Sequence, residues 1–143
     1  MKCLCAHTRR AARLLTSLYD AELSSAGLSA SQFEVLTLLS HGERNGRGIA
    51  RALALDTTTV SRNLKPLLAE HLIQTRASPE DARQIFYALT SAGRTRLGKA
   101  NILWARAQSK VEMRLQQSSA GVLRTLAALV RAADLEGARD SST

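Results

Sequence analysis

The stretch that decides the fold runs from Leu55 to Gly93 and begins with LDTTTVSRNLKPL, residues 55–67. Asp56 is a residue type that caps helices, and apolar residues at helical spacing follow it, so a helix is predicted from Thr57 to about His71. One face of this helix is apolar and carries Val60, Leu64, Leu67 and Leu68. The other face is mostly polar and carries Thr57, Thr58, Ser61, Arg62 and Lys65. The apolar face is expected to pack and the polar face to bind, and Pro66 is expected to disturb the last turn.

Downstream of this helix, the pattern changes from a helical period to a period of two. Residues 72–76 and 84–89 are therefore predicted to be strands. The polar segment ASPEDAR, residues 77–83, lies between them and is long enough to form the projecting tip of a hairpin. Thr90 is predicted to cap a long helix, and a final helix is predicted around residues 122–133.

Upstream, the sequence predicts three further helical segments. Apolar residues recur at spacings of three and four over residues 6–24, which is typical of an amphipathic helix. Ser29 and Gln32 have the spacing of a capping box and are expected to begin a second helix of about three turns. Residues 46–48, Gly-Arg-Gly, are expected to form a loop that leads into a short third helical segment, residues 49–55.

Three helices followed by a two-stranded hairpin predict a winged helix-turn-helix. The fold class is expected to be mainly α with a small β-hairpin wing, flanked by N- and C-terminal dimerisation helices. The expected organisation has four parts: an N-terminal dimerisation helix in 1–28, a winged helix-turn-helix DNA-binding region in 29–92, C-terminal dimerisation helices in 93–136 and a flexible tail in 137–143.

This arrangement points to DNA recognition. A recognition helix enters the major groove with its N-terminal half, where small hydroxyl side chains permit close approach to phosphates and base edges. The candidate contact residues on the helix are Thr57, Thr58, Thr59, Ser61, Arg62 and Lys65. Arg83 at the hairpin tip is expected to reach a narrow minor groove, with Asp81 holding its guanidinium through a charge-assisted pair. Taken alone, Asp81 and Arg83 could equally stabilise a surface turn.

Charge and composition narrow the functional class. The chain has 20 Lys and Arg against 12 Asp and Glu, a net charge of +8, and residues 44–65 hold +4 of it. A nonspecific architectural DNA-binding protein is therefore the alternative to a sequence-specific regulator. The sequence has no Walker loop, no His-Glu-x-x-His and no Gly-x-Ser-x-Gly, so an enzyme is not expected. Without a run of about 18 apolar residues, the chain is expected to be cytoplasmic with no membrane partner.

Several motifs together resemble the MarR (multiple antibiotic resistance regulator) family. The resemblance spans about residues 6–136, and its most specific part is the Asp-x-Arg pair of Asp81 and Arg83, followed by Leu89-Thr90-x-x-Gly93. It implies a homodimeric DNA-binding transcriptional regulator, commonly a repressor released by a small molecule or by thiol oxidation. One departure is Ala82, because the family often has Arg at that place.

The flanking helices also predict a homodimer on physical grounds. Residues 1–24 and 94–136 carry more apolar surface than a winged helix of about 70 residues needs, so a partner chain is expected to bury the surplus. A two-fold dimer presents two recognition helices to double-stranded DNA. The operator is then expected to be pseudopalindromic, with half-sites about 10 base pairs or a multiple of that apart.

The N-terminus holds the two cysteines of the chain, in the alternating pattern Cys3-Leu4-Cys5-Ala6-His7. In an extended segment Cys3, Cys5 and His7 would share one face and could hold a soft metal. Redox sensing through a disulfide between two chains is the second hypothesis, since a bridge from Cys3 to Cys5 would be strained. Thiols without any regulatory part are the third.

Three aromatic residues, Tyr19, Phe33 and Trp104, are expected to lie in the core. The resemblance implies a ligand pocket between the dimerisation and DNA-binding parts, and these side chains could line it. A small organic effector is therefore a further candidate signal.

Overall fold

The structure is a computed structural model that describes residues 3–78, 80–81, 83–116 and 119–134. In these residues the chain forms six α-helices, one turn of 3-10 helix (Ser24–Ala26) and a small three-stranded antiparallel sheet. In chain order the elements are α1 (Leu4–Leu23), α2 (Ala30–Ser40), β1 (Arg44–Asn45), α3 (Gly46–Leu53), α4 (Thr57–Ala69), β2 (Ile73–Ala77), β3 (Ile85–Leu89), α5 (Ser91–Leu115) and α6 (Ser119–Ala133). The predicted fold class, mainly α with a hairpin wing, is confirmed.

Polar caps place the helix starts where the sequence predicted them. Ser29 Oγ accepts from the Gln32 backbone N–H at 3.2 Å, while Gln32 Oε1 accepts from the Ser29 N–H at 2.9 Å. This is the predicted capping box. Asp56 Oδ1 accepts from the Thr59 N–H at 2.8 Å, and Thr90 Oγ1 accepts from the Gly93 N–H at 3.0 Å. These bonds satisfy amide groups that have no partner inside the helix.

The prediction of a glycine loop over residues 46–48 is wrong. Gly46 and Gly48 belong to the first turn of α3, and Asn45 is its N-cap, accepting from the Gly48 N–H through Oδ1 at 2.8 Å. Glycine disfavours a helix interior, but an Asn cap offsets that cost within the first turn. Arg44 and Asn45 also form β1, which the sequence pattern did not predict.

The sheet has the strand order β1-β3-β2, so β3 is its central strand. In the hairpin, Ile73 lies opposite Leu89 and Ala77 lies opposite Ile85. Asn45 of β1 lies opposite Phe86 of β3. The start of α3 is therefore tied directly to the wing.

One hydroxyl group closes the base of the wing. Thr90 Oγ1 lies 2.8 Å from the His71 carbonyl oxygen and 3.0 Å from that of Leu72, immediately before β2. The first turn of α5 also lies very close to Leu72, because a Cβ placed on Gly93 would overlap the Leu72 carbonyl oxygen. Only glycine fits this approach.

The core consists mostly of aliphatic side chains from α1 to α5, β2 and β3, together with the ring of Phe33. The largest fully buried members are Leu23, Val35, Leu36, Ile49, Leu67 and Ile73. Within the described residues no charged or polar residue is fully buried. The core therefore depends on apolar burial, which favours folding by about 25 cal/mol for each Å².

Contacts divide the chain into two compact units, residues 1–107 and residues 108–143. In the second unit, Glu112 accepts hydrogen bonds from the backbone N–H of Ser119 at 3.1 Å and from its hydroxyl at 2.6 Å. These bonds lower the pKa of Glu112, the Ser119 hydroxyl having the largest effect. The predicted boundaries at residues 28 and 92 remain predictions, and the predicted tail, 137–143, lies outside the described residues.

Among the described residues, no helix combines the length and the apolar character that crossing a bilayer requires.

Candidate nucleic-acid interface

The exposed face of α4 carries the predicted contact residues. Thr57, Thr58, Ser61, Arg62 and Lys65 are all exposed, whereas Thr59 is half-buried. The Thr59 hydroxyl donates to Asp56 Oδ2 at 2.6 Å, so this side chain serves the cap of the helix. That hydrogen bond is the main reason why the pKa of Asp56 is lowered.

The opposite face of α4 fixes the helix to the body. Val60, Leu64 and Leu67 are at most 3% exposed, as the apolar pattern predicted. One polar contact also helps to orient α4: Asn63 Nδ2 donates to Ser31 Oγ in the first turn of α2 at 2.7 Å. Because a hydrogen bond depends on angle as well as distance, this contact limits rotation of α4 about its own axis.

Two backbone hydrogen bonds join described residues at the tip of the wing. The Ser78 N–H donates to the Gln84 carbonyl and the Gln84 N–H donates to the Asp81 carbonyl, both at 2.9 Å. Asp81 Oδ1 accepts from the backbone N–H of Arg83 at 3.0 Å. The expected pair between Asp81 and the Arg83 guanidinium is thus replaced by an Asx-type turn, and in the described part of the chain that guanidinium forms no ion pair.

A cleft of about 560 Å³ lies between α4, the first turn of α3 and the wing. It brings together the predicted residues Thr57, Ser61, Asp81 and Arg83. The other lining residues are Asn45, Gly46, Arg47, Val60, Leu64, Gln84, Ile85 and Tyr87. Arg62 and Lys65 are exposed on α4 but do not line the cleft.

Arg47 is the residue of this cleft that the sequence analysis missed as a contact candidate. The signal that could have found it is the net charge of +4 in residues 44–65. Its segment was predicted to be a loop, and only the helical start of α3 and the pairing of β1 with β3 bring it to the cleft.

The N-terminal thiols do not have the geometry that the sequence suggested. The segment is helical rather than extended, because Cys3 is the N-cap of α1 and Leu4 begins the helix. Residues two apart on a helix are separated by a rotation of about 200°, which leaves their side chains about 160° apart, so Cys5 and His7 do not share a face. His7 Nδ1 is hydrogen-bonded to the Cys3 carbonyl oxygen at 3.0 Å. The shared face predicted for Cys3, Cys5 and His7 is therefore wrong, and in the described residues no group of three His, Cys, Asp or Glu side chains could hold a metal. Metal sensing by these residues stays a prediction.

Both cysteines are free thiols, with Cys3 half-buried and Cys5 exposed. Phe33 is buried and Tyr19 packs at the margin of the core. Trp104 is 39% exposed, so the prediction that it lies in the core is wrong. Phe33 and Trp104 stack with their ring centroids 6.4 Å apart and their planes 18° from parallel. Their lining of a ligand pocket stays a prediction.

Comparison with known proteins places this geometry among transcriptional regulators. A model of the MarR family matches residues 26–84. The transcriptional regulator MosR of M. tuberculosis, solved in complex with DNA, is 34% identical, with a TM-score of 0.82 over 93% of this chain and 97% of that chain.

Two curated relatives match about half of this chain. The HTH-type transcriptional regulator YdgJ of Bacillus subtilis is 35% identical over 72 residues, which is 50% of this chain and 44% of YdgJ. The transcriptional regulator AdcR of Streptococcus pneumoniae is 34% identical over 71 residues, or 50% of this chain and 49% of AdcR. The chain thus spans about half the length of these curated relatives. All three relatives are regulators and not enzymes, in agreement with the prediction from the missing catalytic motifs.

Proposed function

This chain belongs to the MarR family of transcriptional regulators, and we propose that it acts as a homodimeric repressor that binds a specific double-stranded operator. The observation that carries the proposal is the shared cleft of α4 and the wing. Thr57 and Ser61 enter it from α4 and Arg83 enters it from the wing. One side of the molecule thus offers short hydroxyl side chains and a free cation together.

In this proposal α4 enters the major groove. Its polar residues are exposed over the N-terminal half, where a recognition helix meets base edges. Thr57, Thr58 and Ser61 are short enough to let the helix approach the bases, while Arg62 and Lys65 can reach phosphates or guanine. The buried face of Val60, Leu64 and Leu67, together with the contact between Asn63 and Ser31, sets which of the polar side chains point outward.

The wing reads the adjacent minor groove. The hydrogen bond from the Arg83 N–H to Asp81 fixes the backbone of the tip and leaves the guanidinium without an ion pair in the described chain. Arginine is attracted to narrow minor grooves, where the negative potential is enhanced, so the wing would favour A·T base pairs.

Exposed apolar residues on the flanking helices support the homodimer. On α1, Leu4 is 65% and Leu14 is 64% exposed. On α6, Leu123, Leu126 and Val130 are exposed as well. Helical faces of this kind are normally covered, and a two-fold partner would cover the same faces on both chains. The operator would then be pseudopalindromic.

For the releasing signal we propose oxidation of the N-terminal thiols. Cys5 is exposed and can meet the Cys5 of a second chain. Two thiols would form one disulfide, giving two protons and two electrons to a peroxide, which is reduced to two waters. The alternative signal is an organic effector beside the stacked rings of Phe33 and Trp104.

The test compares specific with nonspecific binding. An operator is selected from random-sequence duplexes, and its affinity is compared with that of a scrambled duplex of equal length at fixed salt. A specific regulator is expected to prefer the operator by roughly 10³-fold or more. Equal affinities would overturn the proposal in favour of the architectural protein that the net charge of +8 suggests.

A further inference from the structure

The cleft between α4 and the wing holds a second cation besides Arg83. This is Arg47, in the first turn of α3. We propose that the DNA backbone strand which separates the major groove at α4 from the minor groove at the wing lies in this cleft, with Arg47 as its phosphate ligand. The inference rests on the proposed function and assigns a further contact residue to it.

The shape of DNA requires a backbone strand at this place. Neighbouring major and minor grooves are divided by one sugar-phosphate strand, so a protein with one element in each groove must straddle that strand. The cleft opens between these two elements, since Thr57 and Ser61 lie on one wall and Arg83 and Gln84 on the other. Hydroxyl and amide groups such as these commonly donate to phosphate oxygens.

Arg47 is held at a fixed place relative to both walls. Asn45 caps the turn through its bond to the Gly48 N–H at 2.8 Å, and the same residue pairs with Phe86 of β3. The turn that carries Arg47 is therefore joined to the central strand of the wing, while α3 packs in the same core as α4. Because the backbone of Arg47 is supported in this way, Arg47 keeps a constant position relative to the DNA backbone strand that would lie between α4 and the wing.

The charge of Arg47 is also available. Its side chain is exposed, and among the described residues it forms no ion pair. Two other arginines are engaged: Arg96 pairs with Glu70 at 3.1 Å and Arg76 with Glu43 at 3.7 Å. Asp81, which is the one carboxylate among the described residues that line the cleft, already accepts from the Arg83 N–H. A free guanidinium can bind a phosphate with two parallel hydrogen bonds.

The loss of a residue that binds phosphate changes DNA affinity in a different way from the loss of a residue that contacts bases. Losing Arg47 should weaken operator and scrambled duplex by the same factor, because every sequence has the same backbone. The slope of log K against log salt should fall by about 0.9 for each lost contact, or roughly 1.8 for a dimer with both half-sites occupied.

The experiment measures the affinity of the parent, Arg47→Ala, Arg47→Lys and Arg106→Ala proteins for both duplexes over a series of salt concentrations. Arg106 is the matched control, an exposed arginine about 22 Å along α5 from Ser91. We expect a reduced slope and an unchanged operator preference for Arg47→Ala, and a slope near the parent value for Arg47→Lys and Arg106→Ala. Circular dichroism confirms that each variant is folded.

Three results would overturn the inference alone while the parent still prefers the operator. The first is a parent-like slope for Arg47→Ala, and the second is the same reduction in Arg106→Ala, which would indicate a general effect of charge. The third is a selective loss of operator affinity in Arg47→Ala, which would make Arg47 a base reader. A parent protein that binds neither duplex would overturn the proposed function and this inference together.

Discussion

Asn63 on α4 and Ser31 on α2 are joined by a hydrogen bond of 2.7 Å, 32 residues apart in sequence. It connects the helix that carries the candidate contacts to the first turn of α2. The same turn is held from the other side, because the Ala30 N–H donates to Asp20 Oδ1 of α1 at 2.7 Å. The start of α2 is thus pinned between α1 and α4.

Removing this bond should loosen α4. Asn63→Ala is expected to lower the free energy of unfolding by about 0.5–1.5 kcal/mol, the usual net value of one hydrogen bond. Operator affinity should fall as well, because α4 loses one of the contacts that limit its rotation. Urea unfolding and fluorescence anisotropy measure the two effects. Ser31→Ala and the double variant complete the cycle, and fully additive losses would show that the two side chains do not interact.

The cap of α4 makes stability depend on pH. Hydrogen bonds from Thr59 lower the pKa of Asp56 below its ordinary value of 3.8. Its contribution is therefore fully present above pH 3.8 and is lost as the pH falls through the lower folded pKa. Asp56→Ala should lower the thermal midpoint at neutral pH and weaken this acid dependence.

Asp56→Asn is the matched control, since Asn caps helices about as well as Asp but does not titrate. It should keep most of the stability at pH 7 while losing the same part of the acid dependence. If Asp56→Ala and the parent have equal midpoints from pH 3 to pH 7, the cap does not stabilise α4.

The wing prediction concerns Arg83. Arg83→Ala should weaken operator binding by roughly 10- to 100-fold and reduce the preference for A·T pairs at the flanks, with no change in stability. Arg76→Ala on β2 is a suitable control, because Arg76 is exposed but paired with Glu43. Binding of Arg83→Ala at parental strength would mean that the wing does not contact DNA.

Two glycines on α5 should respond in opposite directions to alanine. Gly93→Ala places a Cβ against the backbone of Leu72 and is expected to cost about 1–3 kcal/mol or more. Gly98→Ala meets no atom within 4 Å and should stabilise the helix by up to about 1 kcal/mol. Chemical denaturation of the two variants measures both, and similar effects would show that the approach of α5 to Leu72 is not tight.

The thiol hypothesis is tested with a protein that lacks both thiols. Hydrogen peroxide should release the parent from its operator and produce a reducible dimer on denaturing gels. Cys3→Ser/Cys5→Ser should stay bound and monomeric on the same gels. Should the double variant be released like the parent, the thiols are not the sensor, and an organic effector at Phe33 and Trp104 becomes the leading signal.

Local signals predicted a large part of this fold. The cap at Asp56 and the capping box at Ser29 are short-range hydrogen bonds between residues three apart, so their spacing alone revealed them. The two-residue strand β1 depends on pairing with β3, more than 40 residues away, and no local period marks so short a strand. Because β1 was not predicted, the position of Arg47 in the cleft was not predicted either.

The site was predicted unevenly for a similar reason. Thr57 and Ser61 were predictable because a helix repeats regularly from its cap, and Arg83 because a hairpin tip must project. The partner of Asp81 was not predictable, since the carboxylate could accept from a backbone N–H or from a guanidinium, and only the turn geometry selects the former. The helical conformation of Leu4 to His7, with Cys3 as the N-cap, replaced the extended segment that the alternating pattern had suggested.

The hydroxyl of Thr90 joins the chain on both sides of the hairpin, holding the carbonyls of His71 and Leu72 before β2 while it caps α5 after β3. Because these hydrogen bonds fix the base of the wing, the length of the hairpin determines how far its tip extends. Its reach is set by the number of residues in its strands, at about 3.4 Å for each residue. Lengthening both strands by two residues would keep the same side chains facing outward and would move the tip about 7 Å further from the base. The protein would then bind a longer operator.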